Sequence, residues 1–239
     1  MSNGLILEFA GLPGAGKSTV ATEVIKILER RGLRVARDPA VPGAERARQL
    51  RGGYLRFLAC QPAFVWNSCR AILRSRQRSK ADLGWTTVTW LKRAARLSRA
   101  LGSPELRLLD PGISQALWSI GLRAQSDTFS QLASALLEAA PLPHLVAVVD
   151  ADDQAIISRL RARPGSTSRL ERQELAAQSL LVARKRLEEV LGALERLEAD
   201  RPEVLHTVND HGRTPSACAL EVATWLVDSH DLSSFEVRE

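Results

Sequence analysis

The chain has little of what would build a secreted, metal-stapled or membrane-spanning protein. Its 239 residues include three cysteines, Cys60, Cys69 and Cys218. That number is odd and the spacing fits neither a zinc site nor a disulfide framework, so free thiols in a reducing compartment are expected. No apolar run is long enough to cross a bilayer. The opening MSNGLILEFAG has neither a basic n-region nor a cleavage site. No membrane partner and a cytoplasmic location are therefore expected. Lysine is scarce as well. Of 33 basic residues only Lys17, Lys26, Lys80, Lys92 and Lys185 are lysines, so arginine supplies nearly all of the positive charge. Internal repeats and low-complexity linkers are absent.

What is present reads as one globular unit. An apolar fraction of 45% with 25% charged residues is that of an ordinary folded domain, and the length suffices for one sizeable core. The formal charge of +6, carried by planar guanidinium forks, suits phosphate-bearing partners without selecting one. Short apolar runs at residues 5–10, 33–37, 106–109, 145–149 and 204–208 read as buried strands. Between them lie helical patterns: one beginning near residue 17, and a block at 44–101 with breaks at Gly52-Gly53, Gln61-Pro62 and 82–84. Further patterns cover 118–140 (in one or two pieces), 156–163, 171–199 and 216–227. The last dozen residues are polar and expected to fray. This alternation predicts an α/β fold, a three-layer α/β/α sandwich around a five-stranded parallel sheet, in a single domain spanning 1–239.

The first strand runs into Gly11-Leu12-Pro13-Gly14-Ala15-Gly16-Lys17-Ser18, which fits G-x-x-x-x-G-K-[ST]. Glycines let successive amides turn inward around phosphate oxygens, and the helix that follows adds its positive dipole end. Gly11, Pro13, Gly14, Ala15, Gly16, Lys17, Ser18 and Thr19 are the expected nucleotide contacts. Lys17 would reach the β and γ phosphates, and the Ser18 hydroxyl would coordinate Mg²⁺. ATP or GTP with Mg²⁺ is thus the expected ligand. Asp110 and Asp150 each close an apolar run and compete for the metal; Asp110 is favoured, and either is also placed to cap a helix. None of the four histidines pairs with cysteine or carboxylate at ligand spacing, so no other metal is expected. Pro111 stands after Asp110 where motor-type ATPases carry a catalytic glutamate. Thr207-Val208-Asn209-Asp210 fails to match the base-reading motif of GTPases. Both absences favour a kinase.

Several further segments resemble thymidylate kinases, in the same order and over nearly the whole chain. Residues 36–48 resemble that family's segment T-R-E-P-G-G-T-x-x-G-E-x-[IL]-R. Trp66-Asn67-Ser68-Cys69-Arg70 resembles its F-x-x-x-R helix. Asp110-Pro111-Gly112-Ile113-Ser114 resembles its D-R-Y-x-x-S strand end, without the arginine. Residues 143–152 resemble its P-D-L-T-x-x-L-D-x-D strand. Arg159, Arg163 and Ser168-Arg169-Leu170-Glu171 resemble its R-x-x-x-R and D-R-x-E lid. The resemblance implies a P-loop nucleotide-kinase fold with a helical lid at about 159–171 and an acceptor-side helical block at about 44–101. It also implies roles: Asp38 orients or deprotonates the acceptor, Arg37 touches phosphate, and Trp66 and Arg70 hold the acceptor. Arg163 and Arg169 close over the transferring group beside Lys17.

Three functional readings follow from these residues. The first is an ATP-dependent phosphotransferase acting on a nucleoside monophosphate or related small molecule. The second is a kinase of a sugar or antibiotic hydroxyl. The third is a nucleotide-dependent ATPase or switch that meets a macromolecule, nucleic acid included, through the arginine-rich stretch 70–99. The helix expected at 171–199 serves equally as support for the lid or as the face of a homodimer.

Overall fold

The computed structural model describes residues 4–36, 44–125, 129–162, 177–198, 201–210 and 212–236, with the side chains of 44–51 and 177–178 left aside. Five parallel strands form one sheet: β1 (Leu5–Ala10), β2 (Val35–Ala36), β3 (Leu106–Leu109), β4 (Leu145–Asp150) and β5 (Glu203–Val208), in the order β2-β3-β1-β4-β5. β1 lies at the centre, with Glu8 opposite Leu109 of β3 and opposite Val146 of β4. Such a strand is covered on both faces and should be apolar throughout. β4 meets this rule from Leu145 to Val149, all buried. β1 meets it except at Glu8, which is fully buried.

Helices complete the three layers. α1 (Lys17–Arg30) buries Val20, Ala21, Val24 and Leu28, a stripe at helical spacing. It packs against β1 and the C-terminal helix α9 (Pro215–Ser229). Also touching β1 are α4 (Lys80–Leu101) and α5 (Ile113–Gly121), and α5 in turn meets α8 (Ala177–Glu195). The helical block at 44–101 consists of α2 (Ala44–Cys60), α3 (Pro62–Arg74) and α4. Trp90 of α4 is fully buried, and its Nε1 donates to Ser68 Oγ of α3 at 3.0 Å. A buried indole with its polar atom satisfied makes a strong tie; truncating such a residue costs about 3–5 kcal/mol. The remaining helices are α6 (Phe129–Glu138) and α7 (Asp153–Arg161).

Several expectations need correction. Gly52-Gly53 lies inside α2, and residues 82–84 lie inside α4, so neither breaks its helix. Glycine lowers helix propensity by only about 1 kcal/mol, which packing outweighs. Ser79 supplies the real start of α4, its side chain accepting from Asp82 N at 3.0 Å. The helical pattern at 118–140 resolves into α5 and α6. The second strand shrinks to Val35–Ala36, with Arg37 outside the described residues. Of the final dozen residues, those described, up to Glu236, do not simply fray. A 3-10 turn at Ser233–Phe235 buries Phe235, Phe235 O accepts from Arg34 N at 2.8 Å, and Glu236 bridges Leu33 in antiparallel fashion.

Candidate active site

The turn from β1 into α1 is shaped by main-chain constraints. Gly16 has φ 96° and forms the left-handed cap from which α1 starts. A Cβ there would strike Asn209 Nδ2, and one on Gly11 would strike Val149 O. Both positions therefore require glycine. The loop carbonyls are held from outside. Asn209, at the end of β5, donates from Nδ2 to Ala15 O at 2.8 Å, and its own N–H donates to Asp150 O at 2.8 Å. Arg159 of α7 donates from Nη1 to Ala15 O at 3.2 Å and from Nη2 to Asn209 O at 3.0 Å. Fixing Ala15 O outward leaves the first-turn amides of α1 to meet an anion. Lys17 Nζ lies over this turn, donating to Gly11 O and Leu12 O at 2.8 Å each.

The loop opens onto a cleft of about 560 Å³, lined on this side by Pro13, Gly14, Gly16, Lys17, Ser18 and Thr19. Asp110, at the end of β3 next to β1, lines the same cleft and shares a side groove with Ser18. Among the described residues no ion pair engages Asp110. Its competitor Asp150 is committed: Oδ1 accepts from Arg184 Nη1 at 2.8 Å and from Ala151 N at 2.8 Å. Hydroxyl and carboxylate are the hard oxygen donors that magnesium prefers, so Ser18 and Asp110 fit the ion that accompanies a triphosphate.

The far wall comes from α4, α5 and the turn after α5. It presents Trp85, Gln115, Trp118 and Arg123. Trp85, in the second turn of α4, is 46% exposed. The guanidinium of Arg123 sits 4.8 Å from the centre of its ring and pairs with Asp82 at 2.9 Å. Trp118 is buried and anchored by Nε1 to Ala183 O at 2.9 Å. Gln115 Oε1 is buried with no hydrogen-bond partner among the described residues. A buried amide oxygen without a donor is costly, and here it belongs to a residue that lines the cleft.

Some assignments made from sequence come together at this cleft and some do not. Gly14, Gly16, Lys17, Ser18, Thr19, Pro13 and Asp110 line it; Gly11 and Ala15 form the loop behind it. Trp66 and Arg70 are absent from the lining. Trp66 is 68% exposed on the outer face of α3, which turns Phe64, Ser68 and Ile72 inward. Arg37, Asp38, Arg163 and Arg169 lie outside the described residues. Arg159, compared above with a lid arginine, instead grips the loop carbonyls. Trp85 faces the cleft. Gln115, Arg123 and Asn209 were not singled out. For Asn209 a signal existed, a polar residue ending a buried strand; Gln115 and Arg123 follow no local pattern.

No protein-family profile matches the chain, and no curated protein matches it. Solved structures do. A deoxyadenosine kinase from M. mycoides, determined with the products dCMP and a flexible dCDP, aligns over 95% of this chain and 100% of its own, with a TM-score of 0.54 and 12% identity. A second structure of deoxyadenosine kinase from M. mycoides, with bound dCTP, aligns over the same shares with a TM-score of 0.48 and 11% identity. At such identity the likeness defines a fold. The chain has the three-layer α/β/α fold of P-loop kinases, with its five-stranded parallel sheet.

Proposed function

We propose that this chain is a P-loop phosphotransferase that moves the γ-phosphate of ATP to a small planar acceptor of the nucleoside or nucleoside monophosphate class. The observation that carries the reading is that a phosphate cradle and a wall of two indoles and one amide share a single cleft. Transfer of a phosphoryl group is mostly a matter of positioning and charge stabilisation. Lys17 and the loop amides hold the triphosphate tail. Ser18 and Asp110 hold magnesium, which when bound neutralises phosphate charge. On the far side a flat ring lies along Trp85, and Gln115 Oε1 accepts a hydrogen bond from it. Arg123, neutralised by Asp82, adds little net charge to that end. Asp38 as the group that orients the acceptor, and Arg163 and Arg169 as closing charges, rest on the sequence resemblance. The fold shared with a deoxyadenosine kinase supports the nucleoside class, and thymidylate as substrate is not carried over.

The test is acceptor-dependent ADP release from ATP and Mg²⁺ with a panel of nucleosides, nucleoside monophosphates, sugars and small alcohols. A nucleoside or its monophosphate should stimulate release most. Equal, acceptor-independent hydrolysis would refute the assignment. Stimulation by nucleic acid that falls steeply with salt would instead favour a macromolecular partner for the arginine-rich stretch.

A further inference from the structure

Glu8 is a carboxylate in the middle of the central strand with 0% exposure, and it is absent from the lining of the cleft. Its neighbours along the strand, Ile6, Leu7 and Phe9, are apolar and fully buried. A carboxylate at such a position is expensive unless its oxygens are well satisfied. Here each oxygen has its own donor: Ile113 N at 3.0 Å to Oε2 and Ser114 N at 2.7 Å to Oε1. These are first-turn amides of α5, whose N-cap Gly112 has no side chain to offer them. Glu8 therefore caps a helix that lies more than a hundred residues away in sequence. The fit is close, since a Cβ on Gly112 would overlap the Glu8 carboxyl group.

Among the described residues no charged side chain acts on Glu8. The groups that do are the amides of residues 113–115 and the Ser114 hydroxyl, which lies near but makes no well-formed hydrogen bond. Burial outweighs them and pushes the Glu8 pKa up from 4.5 to about 7. Two residues beyond Glu8, β1 ends and the phosphate loop begins. One residue beyond Ser114, Gln115 enters the cleft, followed a turn later by Trp118 and Ser119.

We propose that Glu8 is a positioning residue that locks the acceptor wall of α5 in register with the phosphate cradle. The fork of two oxygens on two consecutive amides fixes both the height and the rotation of the first turn of α5 relative to β1. The consequence for catalysis rests on the proposed phosphotransfer; the link between β1 and α5 does not.

The experiment compares the wild-type chain with Glu8→Gln, which keeps the size but offers one acceptor oxygen and a donor to two N–H groups. Amide hydrogen exchange is read for residues 113–115 and 11–19, together with KM for ATP and KM for the best acceptor of the panel. At pH 8, where Glu8 is ionised, exchange at 113–115 should quicken roughly tenfold or more, and acceptor KM should rise severalfold to about tenfold, consistent with one lost charge-assisted hydrogen bond. Exchange in the loop and KM for ATP should stay as they were. Glu8→Asp, whose shorter reach weakens both bonds, should give the same split in milder form, and serves if the glutamine variant does not fold. Unchanged exchange at 113–115, or a parallel rise in both KM values, would overturn the proposal. If the wild type releases no ADP with any acceptor, the phosphotransfer reading fails, while the exchange data still decide whether Glu8 holds α5.

Discussion

The phosphate cradle and the acceptor wall face each other across one cleft, yet they are built by opposite means. The cradle is a contiguous run of main chain, bent by glycines and braced through its carbonyls by Asn209 and Arg159. In the proposed function its side chains act at two positions, Lys17 and Ser18. The wall is a set of side chains from α4, α5 and the turn after α5, each held by a different partner: Trp118 by Ala183 O, Arg123 by Asp82, and the first turn of α5 by Glu8. Under the proposed function, the backbone site serves the ligand part that never varies, the phosphates, and the side-chain site, which can be re-specified by exchanging residues, sets selectivity.

This contrast can be broken or sharpened by substitution. Lys17→Ala should lower kcat roughly 10²–10³-fold, the scale for losing one preorganised charge-stabilising donor, without altering the fold by circular dichroism. Retention of the normal rate would remove the cradle from the chemistry. The next effect concerns stability. Because the Glu8 pKa lies near 7 in the folded chain against 4.5 unfolded, the folded state holds the extra proton between those values. The group's contribution is complete below about pH 4.5 and is lost as pH rises through about 7. Wild-type stability measured against Glu8→Gln should therefore decline by up to about 3 kcal/mol from pH 4.5 to 8, as read by urea denaturation. A difference independent of pH would show that Glu8 ionises normally. Asp110→Asn should raise the Mg²⁺ concentration for half-maximal rate by roughly 10–100-fold, whereas Asp150→Asn should leave it unchanged. A reversed result would exchange the two carboxylates. Smallest is Gln115→Leu, which should raise acceptor KM about tenfold, as expected for one lost hydrogen bond, with KM for ATP untouched. If both constants move, the wall and the cradle are not separate.

The same contrast governs what was legible in the sequence. Gly11 to Thr19 stand side by side, so the loop, its strand and its helix could be read directly, and so could the alternation that gives a five-stranded parallel sheet. Asp110 and Asp150 were both legible as carboxylates at strand ends, and Asp110 was the favoured one; that Asp150 pairs with Arg184 is seen only in three dimensions. The wall was not legible. Trp85 and Trp90 occupy the same helix, one half-exposed and one fully buried, and nothing near either residue distinguishes them; the difference is set by α3 and α5. Trp66 illustrates the converse, since a motif-like spacing to Arg70 placed it in a site, whereas the buried stripe of Phe64, Ser68 and Ile72 turns it outward. Glu8 was visible as the lone charge in an apolar run, but its partner lies at residues 113–114, beyond any local pattern.

The C-terminal turn at Phe235 bears on how the molecule behaves in company. β2 is a border strand of two residues, and a border strand normally offers its open backbone groups to any passing chain. Here the chain's own tail pairs with the two residues just before that strand, Phe235 O taking the Arg34 amide and Glu236 bridging Leu33. Residues 235–236 thus act as a clasp beside the sheet's rim: a cut before Leu232 would free the Arg34 amide and leave that rim open to pairing with another chain.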